Sequence, residues 1–317
     1  MTILVTGASG FVGTKLLERF PCDEIVGLGR KKPLNFASHQ FIEAEIDRDT
    51  DYSTALSGVS VVIHLAARVH VMSDSVENPL DAYREINTLG TINLARQAVN
   101  AGVKRFIFIS SIKVNGESST LGYPFTYSDK RKPEDFYGQS KSEAEGQLLA
   151  LAAETGLEIV IIRPTLVYGA GVKANFASLM NLVSKGFPLP FGLINSNKRS
   201  LVSVANLVDL IVTCIEHPKA NNQVFLVSDD HDVSTSEMVR EMATACGKKN
   251  FQLPVPVWCY KLAGKLFIKE DVVDRLLGSL QVDISHTKVT LDWTPPQSLQ
   301  AGFKETADYI LNKRGNK

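Results

Sequence analysis

The most constraining feature lies at the very start of the chain. A β-branched apolar run, Ile3 to Val5, leads into Thr6-Gly7-Ala8-Ser9-Gly10-Phe11-Val12-Gly13, and helical periodicity follows over Gly10 to Arg19. Three glycines at this spacing allow a tight turn, a close approach of backbone to a pyrophosphate, and close packing of helix on strand. The helix start then offers free N–H groups and a favourable dipole. With 22 glycines in 317 residues, chance supplies about 0.1 such triplets, so the strand in front and the helix behind give the motif its weight. The implied site is a dinucleotide cradle.

The organisation of the first half agrees. Short apolar runs at Ile3 to Val5, Glu24 to Leu28, Val59 to Leu65, Arg105 to Ile109 and Glu158 to Ile162 alternate with helical patterns over Pro79 to Asn100 and Tyr137 to Glu154. Several runs are apolar at consecutive positions, as strands covered on both faces of a parallel sheet are. The expected fold is α/β, a doubly wound parallel sheet with a smaller mixed C-terminal lobe. Beyond Arg163-Pro164 the texture turns to loops carrying Gly169, Gly171, Gly186, Pro188, Pro190 and Gly192, and Gln223 to Val227 reads as a strand returning to the sheet. At about 150 residues per domain the length suggests roughly two units. The expected division assigns 1–165 and 201–232 to the dinucleotide domain and 166–200 and 233–317 to the substrate lobe.

Charge and composition exclude much. Lys plus Arg and Asp plus Glu number 34 each, which gives no general argument for nucleic acid or an anionic membrane as partner. The four cysteines, Cys22, Cys214, Cys246 and Cys259, show no metal-ligand spacing and fit a reducing compartment. No apolar run approaches a bilayer span, and the N-terminal segment does not read as a secretory leader. The expectation is a soluble cytoplasmic protein without membrane insertion. The six histidines, His39, His64, His70, His217, His231 and His286, form no H-E-x-x-H or compact cluster, so no metal is assigned. His64, on a strand, is expected to be a hydrogen-bonded core histidine, and Lys130-Arg131-Lys132 a solvated loop.

An NAD-preferring site usually carries an Asp or Glu about 20 residues after the glycines, at the end of the second strand. Here that position reads Gly29-Arg30-Lys31. Arg30 could clamp a 2′-phosphate, so NADP(H) is favoured, with NAD(H) the other possibility. Tyr137 and Lys141, spaced i, i+4, share a helix face. A phenol with a pKa near 10 must shift by about three units to act near neutrality. With eight tyrosines, about half a match to this spacing arises by chance, and Tyr309 with Lys313 is a second match, read as a plain helix face. Tyr137 is set apart by the strand before it, which ends in Ser110-Ser111.

Taken together, these motifs resemble the extended short-chain dehydrogenase/reductases, whose fold is Rossmann-type, in particular those acting on nucleotide-sugars. The marks are Thr6-Gly7-x-x-Gly10-x-x-Gly13, His64-Leu65-Ala66-Ala67, Asn87 with Gly90-Thr91, Ser110-Ser111, Tyr137 to Lys141, and Arg163-Pro164 followed by Val167-Tyr168-Gly169. The resemblance makes Tyr137 the catalytic acid/base, gives Lys141 the nicotinamide ribose and the lowering of the Tyr137 pKa, and has Ser111 hydrogen-bond the reacting sugar oxygen. It places Gly7, Gly10, Phe11, Val12, Gly13, Arg30, Glu45, Ile46, Leu65, Ala66, Ala67, Asn87, Pro164 and Val167 around the cofactor. Asn175, Phe176, Pro190, Phe191 and Arg199, and later Arg275 and Asp283, resemble the grip on a UDP-linked sugar, with an Arg answering the diphosphate and an aromatic ring walling the uracil.

Two stretches depart from the common epimerase wording: Ser110-Ser111-Ile112-Lys113-Val114-Asn115-Gly116 and Arg68-Val69-His70-Val71-Met72. They are closer to bacterial enzymes that reduce UDP-4-keto-6-deoxy-N-acetylhexosamines for surface polysaccharide. The leading expectation is therefore an NADP(H)-dependent 4-reductase. A UDP-hexose or UDP-N-acetylhexosamine 4-epimerase on a retained NAD is the alternative, and a non-catalytic dinucleotide sensor a remote one. The resemblance further implies a homodimer through the helices over Pro79 to Asn100 and Tyr137 to Glu154.

Overall fold

A computed structural model of the chain describes residues 1–33, 36, 40–69, 78–267 and 270–315. His39 and the 70–72 part of the divergent Arg68 to Met72 run lie outside the described residues.

Ten strands are present among the described residues: β1 (Ile3–Thr6), β2 (Ile25–Gly29), β3 (Phe41–Glu43), β4 (Val61–His64), β5 (Arg105–Ile109), β6 (Glu158–Pro164), β7 (Leu166–Tyr168), β8 (Arg199–Ser203), β9 (Gln223–Val227) and β10 (Asp232–Val233). Seven of them form one parallel sheet in the order β3-β2-β1-β4-β5-β6-β9. Consecutive burial along β1, β4 and β5 explains their unbroken apolar runs, because helices cover both faces. The predicted strand at Gln223 to Val227 does return to the sheet, beside β6. β3, too short to show a period in sequence, closes the other edge.

The helices are α1 (Phe11–Leu17), α2 (Ser53–Leu56), α3 (Pro79–Arg84), α4 (Thr91–Asn100), α5 (Phe136–Thr155), α6 (Ala174–Val183), α7 (Val204–Glu216), α8 (Thr235–Ala245), α9 (Val257–Leu266), α10 (Glu270–Leu277), α11 (Ser285–Leu291) and α12 (Leu299–Gly315). One apolar cluster joins the sheet to α1 and α7, and another joins its opposite face to α4 and α5. The helix expected over Pro79 to Asn100 is interrupted by a π-helical turn, Glu85–Gly90. Such turns often accompany functional sites, and this one carries Asn87 and Gly90.

The second lobe has its own core, in which Tyr168, Phe176, Met180 and Phe303 bring together β7, α6 and α12. It holds a three-stranded mixed sheet in the order β10-β8-β7. Cys214 and Cys246 are buried and Cys259 half-buried, all as thiols. Tyr309 lies on α12 and is partly exposed, consistent with an ordinary helix face. Among the described residues no helix is long and apolar enough to cross a membrane.

Candidate active site

The strand order reverses between β1 and β4, and in open α/β sheets ligands bind outside the carboxyl ends of the strands at that point. The turn after β1 and the segment after β4 meet there closely. Gly7 has φ +69°, and a Cβ on it would lie 2.8 Å from the Ala66 nitrogen. A Cβ on Gly13 would lie 2.3 Å from the Gly7 carbonyl oxygen, so helix-to-strand packing requires that glycine. Gly10 differs: it is exposed, serves as N-cap of α1 without a side-chain cap, and its added Cβ would meet only the Gly7 oxygen, at 3.1 Å. The turn therefore leaves an open, uncapped helix start flanked by bare backbone, which fits the pyrophosphate of a dinucleotide. Phe11 and Val12 form the first turn, half-buried.

His64 lies beneath this crevice, fully buried. Hydrogen bonds link its Nδ1 to the Thr6 hydroxyl (2.8 Å) and its Nε2 to the Thr91 hydroxyl (3.0 Å). Burial, aided by the Lys141 charge, pushes its pKa down to about 3, so it is a neutral core histidine. Thr6 also accepts a hydrogen bond from the Ala66 N–H (3.2 Å), positioning half-buried Leu65, Ala66 and Ala67. Asn87 is buried and wholly engaged: its Oδ1 accepts from the Arg68 N–H (2.8 Å), while its Nδ2 donates to the Arg68 carbonyl and the Ser140 hydroxyl (3.0 Å each). Its amide acts by latching the 65–68 segment to α5. Glu45 is exposed, and Ile46 is buried against Gly90, where a Cβ would meet Ile46 Cγ2 at 2.8 Å. Arg30 is exposed directly after β2.

Ser111 follows β5 and Tyr137 opens α5. Asp135 caps this helix, accepting the Gly138 N–H at 2.6 Å. The Ser111 hydroxyl accepts the Lys113 N–H at 3.2 Å and hydrogen-bonds the Tyr137 phenol, favouring phenolate. Burial outweighs this, and with the Asp135 charge it raises the Tyr137 pKa above the usual tyrosine value. Lys141 is buried with its ammonium 2.9 Å from the Ile109 carbonyl and 4.3 Å from the centre of the Phe108 ring. Burial lowers its pKa to about 7, against the pull of Glu145. The structure thus corrects one expectation: Lys141 turns toward Ile109, and Tyr137 is shifted up by burial, not down by the lysine. Pro164 ends β6, buried, and Val167 is half-buried in β7.

In the second lobe Arg199 and Arg275 come together. Arg199 Nη1 donates to the carbonyls of Arg275 (2.7 Å) and Gly278 (3.2 Å), and burial together with the Arg275 charge lowers the Arg199 pKa. The Arg275 charge acting on the Arg199 guanidinium gives this corner a positive character that suits a diphosphate. The strand-like stretch from Ser279 to Asp283 bridges Arg199 through Leu280 and Phe125 through Val282. It thereby joins the arginines to the loop between Ser111 and Tyr137.

Phe176 is a correction. It is 4% exposed, stacked on Tyr168 at 5.2 Å and edge-on to Phe303 at 5.6 Å, so its ring is core and cannot wall a uracil. Asn175 and Pro190 are exposed and Phe191 half-buried. Asp283 accepts the Ser285 N–H at 2.7 Å and lines a shallow recess with Tyr127 and His286, separate from the arginine contacts. Sequence reasoning missed the buried group beneath Ser111. There Arg163 donates to Glu145 (2.9 and 2.5 Å) and to Asn115 Oδ1 (3.0 Å), and Ser110 donates to Glu145 (2.6 Å). Arg163 stood in a motif without a role of its own, and Glu145, one turn beyond Lys141, was the available signal. Lys113 pairs with Glu117 and Asp135 at 2.7 and 2.5 Å. No cluster of His, Cys, Asp or Glu among the described residues could hold a metal.

Residues 3–228 match the NAD dependent epimerase/dehydratase family. A UDP-glucose 4-epimerase of Vibrio cholerae is 63% identical over 98% of this chain and 95% of its own length. An N-acetyl-alpha-D-glucosaminyl-diphospho-ditrans,octacis-undecaprenol 4-epimerase of Escherichia coli O157:H7 is 29% identical over 97% and 94%. Among solved structures, a UDP-glucuronic acid 4-epimerase from Bacillus cereus in complex with NAD superposes with TM-score 0.79 at 23% identity, covering 100% of this chain and 99% of its own. A UDP-glucose 4-epimerase from Thermotoga maritima with UDP-glucose gives 0.78 at 23%, over 99% and 100%. At these identities the two structures speak to the fold.

Proposed function

The chain belongs to the NAD dependent epimerase/dehydratase family, and from that premise we propose that it interconverts the C4 epimers of a UDP-linked hexose on one retained NAD. It is an enzyme of the extended short-chain dehydrogenase/reductase kind. The observation that carries the finer reading is the 63% identity to a UDP-glucose 4-epimerase across both lobes. It moves the balance away from the 4-reductase that the loop wording suggested.

NAD, when bound, would supply the hydride acceptor and donor for C4. Gly7, Gly10 and Gly13 would hold its pyrophosphate, and Lys141 would hold the nicotinamide ribose. Tyr137 in its phenolate form, which the Ser111 hydrogen bond favours against burial, would take the proton of the C4 hydroxyl as hydride leaves C4, and would return it to the oxygen when C4 is reduced from the opposite face. Ser111, already hydrogen-bonded to the phenol, orients that oxygen. Arg199 and Arg275 take the diphosphate, fixing the sugar while its anomeric end stays bound.

A second reading rests on Arg30. With a guanidinium and no carboxylate after β2, NADP(H) and net reduction of a UDP-4-keto-6-deoxy-N-acetylhexosamine remain the rival. The test is purified protein with UDP-glucose and with the keto-sugar, following NADPH absorbance and resolving product sugars. Formation of UDP-galactose at constant dinucleotide supports the epimerase. Stoichiometric NADPH loss with the keto-sugar and no interconversion overturns it.

A further inference from the structure

A surface feature that catalysis leaves unused lies on α9. Trp258, Leu262 and Leu266, at i, i+4 and i+8, form one stripe along the helix and are 65%, 52% and 70% exposed. Such a row ordinarily faces a core, yet the packed side of this helix is elsewhere. Gly264 is its buried residue, lying against Val273 of α10 so closely that a Cβ would meet Val273 Cγ2 at 2.9 Å. Gly264 lies about 200° round the helix from Leu262, which leaves the Trp258 stripe facing outward. Phe267 extends the exposed apolar surface past the helix, and Phe251 and Leu253 precede it.

The segment that bears this stripe carries charge of one sign. Lys261 and Lys265 are exposed on the turn edge beside it. From Cys246 to Lys269 the sequence contains Lys248, Lys249, Lys261, Lys265 and Lys269 and no Asp or Glu. In a chain of zero net charge this is a concentrated basic stretch, and carboxylates resume only at Glu270, on α10. A short helix presenting Trp and Leu beside Lys, with no acid of its own, has the chemistry of an interfacial helix: apolar side chains enter the acyl boundary, lysines meet phosphates, and the indole sits at headgroup level.

We propose that the α9 face is a docking surface for an anionic lipid bilayer, holding the enzyme peripherally on a membrane. The argument is independent of which sugar reaction the active site performs. The exposed Lys261 and Lys265 beside the apolar stripe complement the charge of an anionic lipid surface.

The chain has two tryptophans, and Trp293 is buried with its indole N–H donated to Asp209 at 3.0 Å. Trp258 is therefore a built-in reporter. The experiment titrates the full chain with phosphatidylglycerol-containing and pure phosphatidylcholine vesicles, reading tryptophan emission and co-sedimentation. A blue shift and co-sedimentation with the anionic vesicles are expected, the shift vanishing in Trp258→Phe. Lys261→Gln with Lys265→Gln should weaken partitioning about 30-fold, at roughly fivefold per lysine. Leu262→Ser with Leu266→Ser should abolish it while epimerase turnover is retained. Equal partitioning to both vesicle types, unmoved by the lysine variants, overturns the proposal. So does absence of vesicle binding together with an oligomer that the leucine variants dissociate, because the face would then be an interface between copies of this chain.

Discussion

Arg163 and Glu145 form a buried two-point ion pair between β6 and α5, their side chains 4% and 1% exposed, directly beneath the strand end that carries Ser111. Ser110 donates to Glu145 and Asn115 accepts from Arg163, which extends the hydrogen bonding around the pair. Breaking such a pair from one side leaves an uncompensated buried charge and costs about 3 to 5 kcal/mol. Glu145→Ala should therefore lower the thermal midpoint sharply in calorimetry, while Glu145→Met combined with Arg163→Met should recover much of the loss. If the double variant is no more stable than the single, the pair contributes through packing and not through charge compensation.

Lys141 gives stability a distinct pH dependence. Its folded pKa of about 7 lies below the unfolded lysine value near 10.4. Between those values the unfolded chain binds the extra proton, so stability rises with pH. The cost of burying the charge is fully present below pH 7 and is relieved upward from there. Measured by urea unfolding from pH 7 to 9.5, wild type should gain on Lys141→Met by about 1 kcal/mol per pH unit. A constant difference would show that Lys141 remains charged in the fold.

Much of this site is legible in sequence because its signals are local. The glycines at 7, 10 and 13 act within one turn, and Tyr137 and Lys141 within one helix. The unbroken apolar runs announce a sheet covered on both faces. What escaped depends on distant partners. Phe176 looks like an exposed aromatic next to Asn175 until Tyr168 and Phe303 close over it. Glu145 and Arg163 are 18 residues apart, and nothing in their spacing says that β6 and α5 place them face to face. The π-helical turn at Glu85–Gly90 also carries no periodic mark, since the apolar pattern runs through it. The inward turn of Lys141 toward Ile109 is a rotamer choice that i, i+4 spacing leaves open.

The glycine turn separates folding from binding. Gly13→Ala puts a methyl 2.3 Å from the Gly7 oxygen and 2.8 Å from Ala8 Cα, so backbone must move and the thermal midpoint should fall. Gly10→Ala meets one atom at 3.1 Å and should fold within about 1 kcal/mol of wild type. Its methyl projects at the uncapped start of α1, so dinucleotide affinity, read by retained cofactor and by titration calorimetry, should drop at least about tenfold. Normal affinity in Gly10→Ala would move the pyrophosphate away from this turn.

Arg199 tests the diphosphate corner with opposite expectations for stability and affinity. Its guanidinium is held by two backbone carbonyls beside the like charge of Arg275. Arg199→Met loses those hydrogen bonds but relieves the repulsion, so the thermal midpoint should shift little. UDP binding should weaken about 10- to 150-fold, the range for losing hydrogen bonds to a charged group. The KM for the UDP-sugar should rise accordingly, with kcat largely preserved, because the hydrogen bonds of Arg199 go to the Arg275 and Gly278 carbonyls and not to Tyr137. Arg199→Lys keeps the charge but not the forked geometry and should recover only part of the affinity. Unchanged UDP binding in Arg199→Met, measured by calorimetry, would place the diphosphate elsewhere in the lobe. A loss in kcat with KM intact would instead tie Arg199 to the catalytic step through the Ser279 to Asp283 stretch.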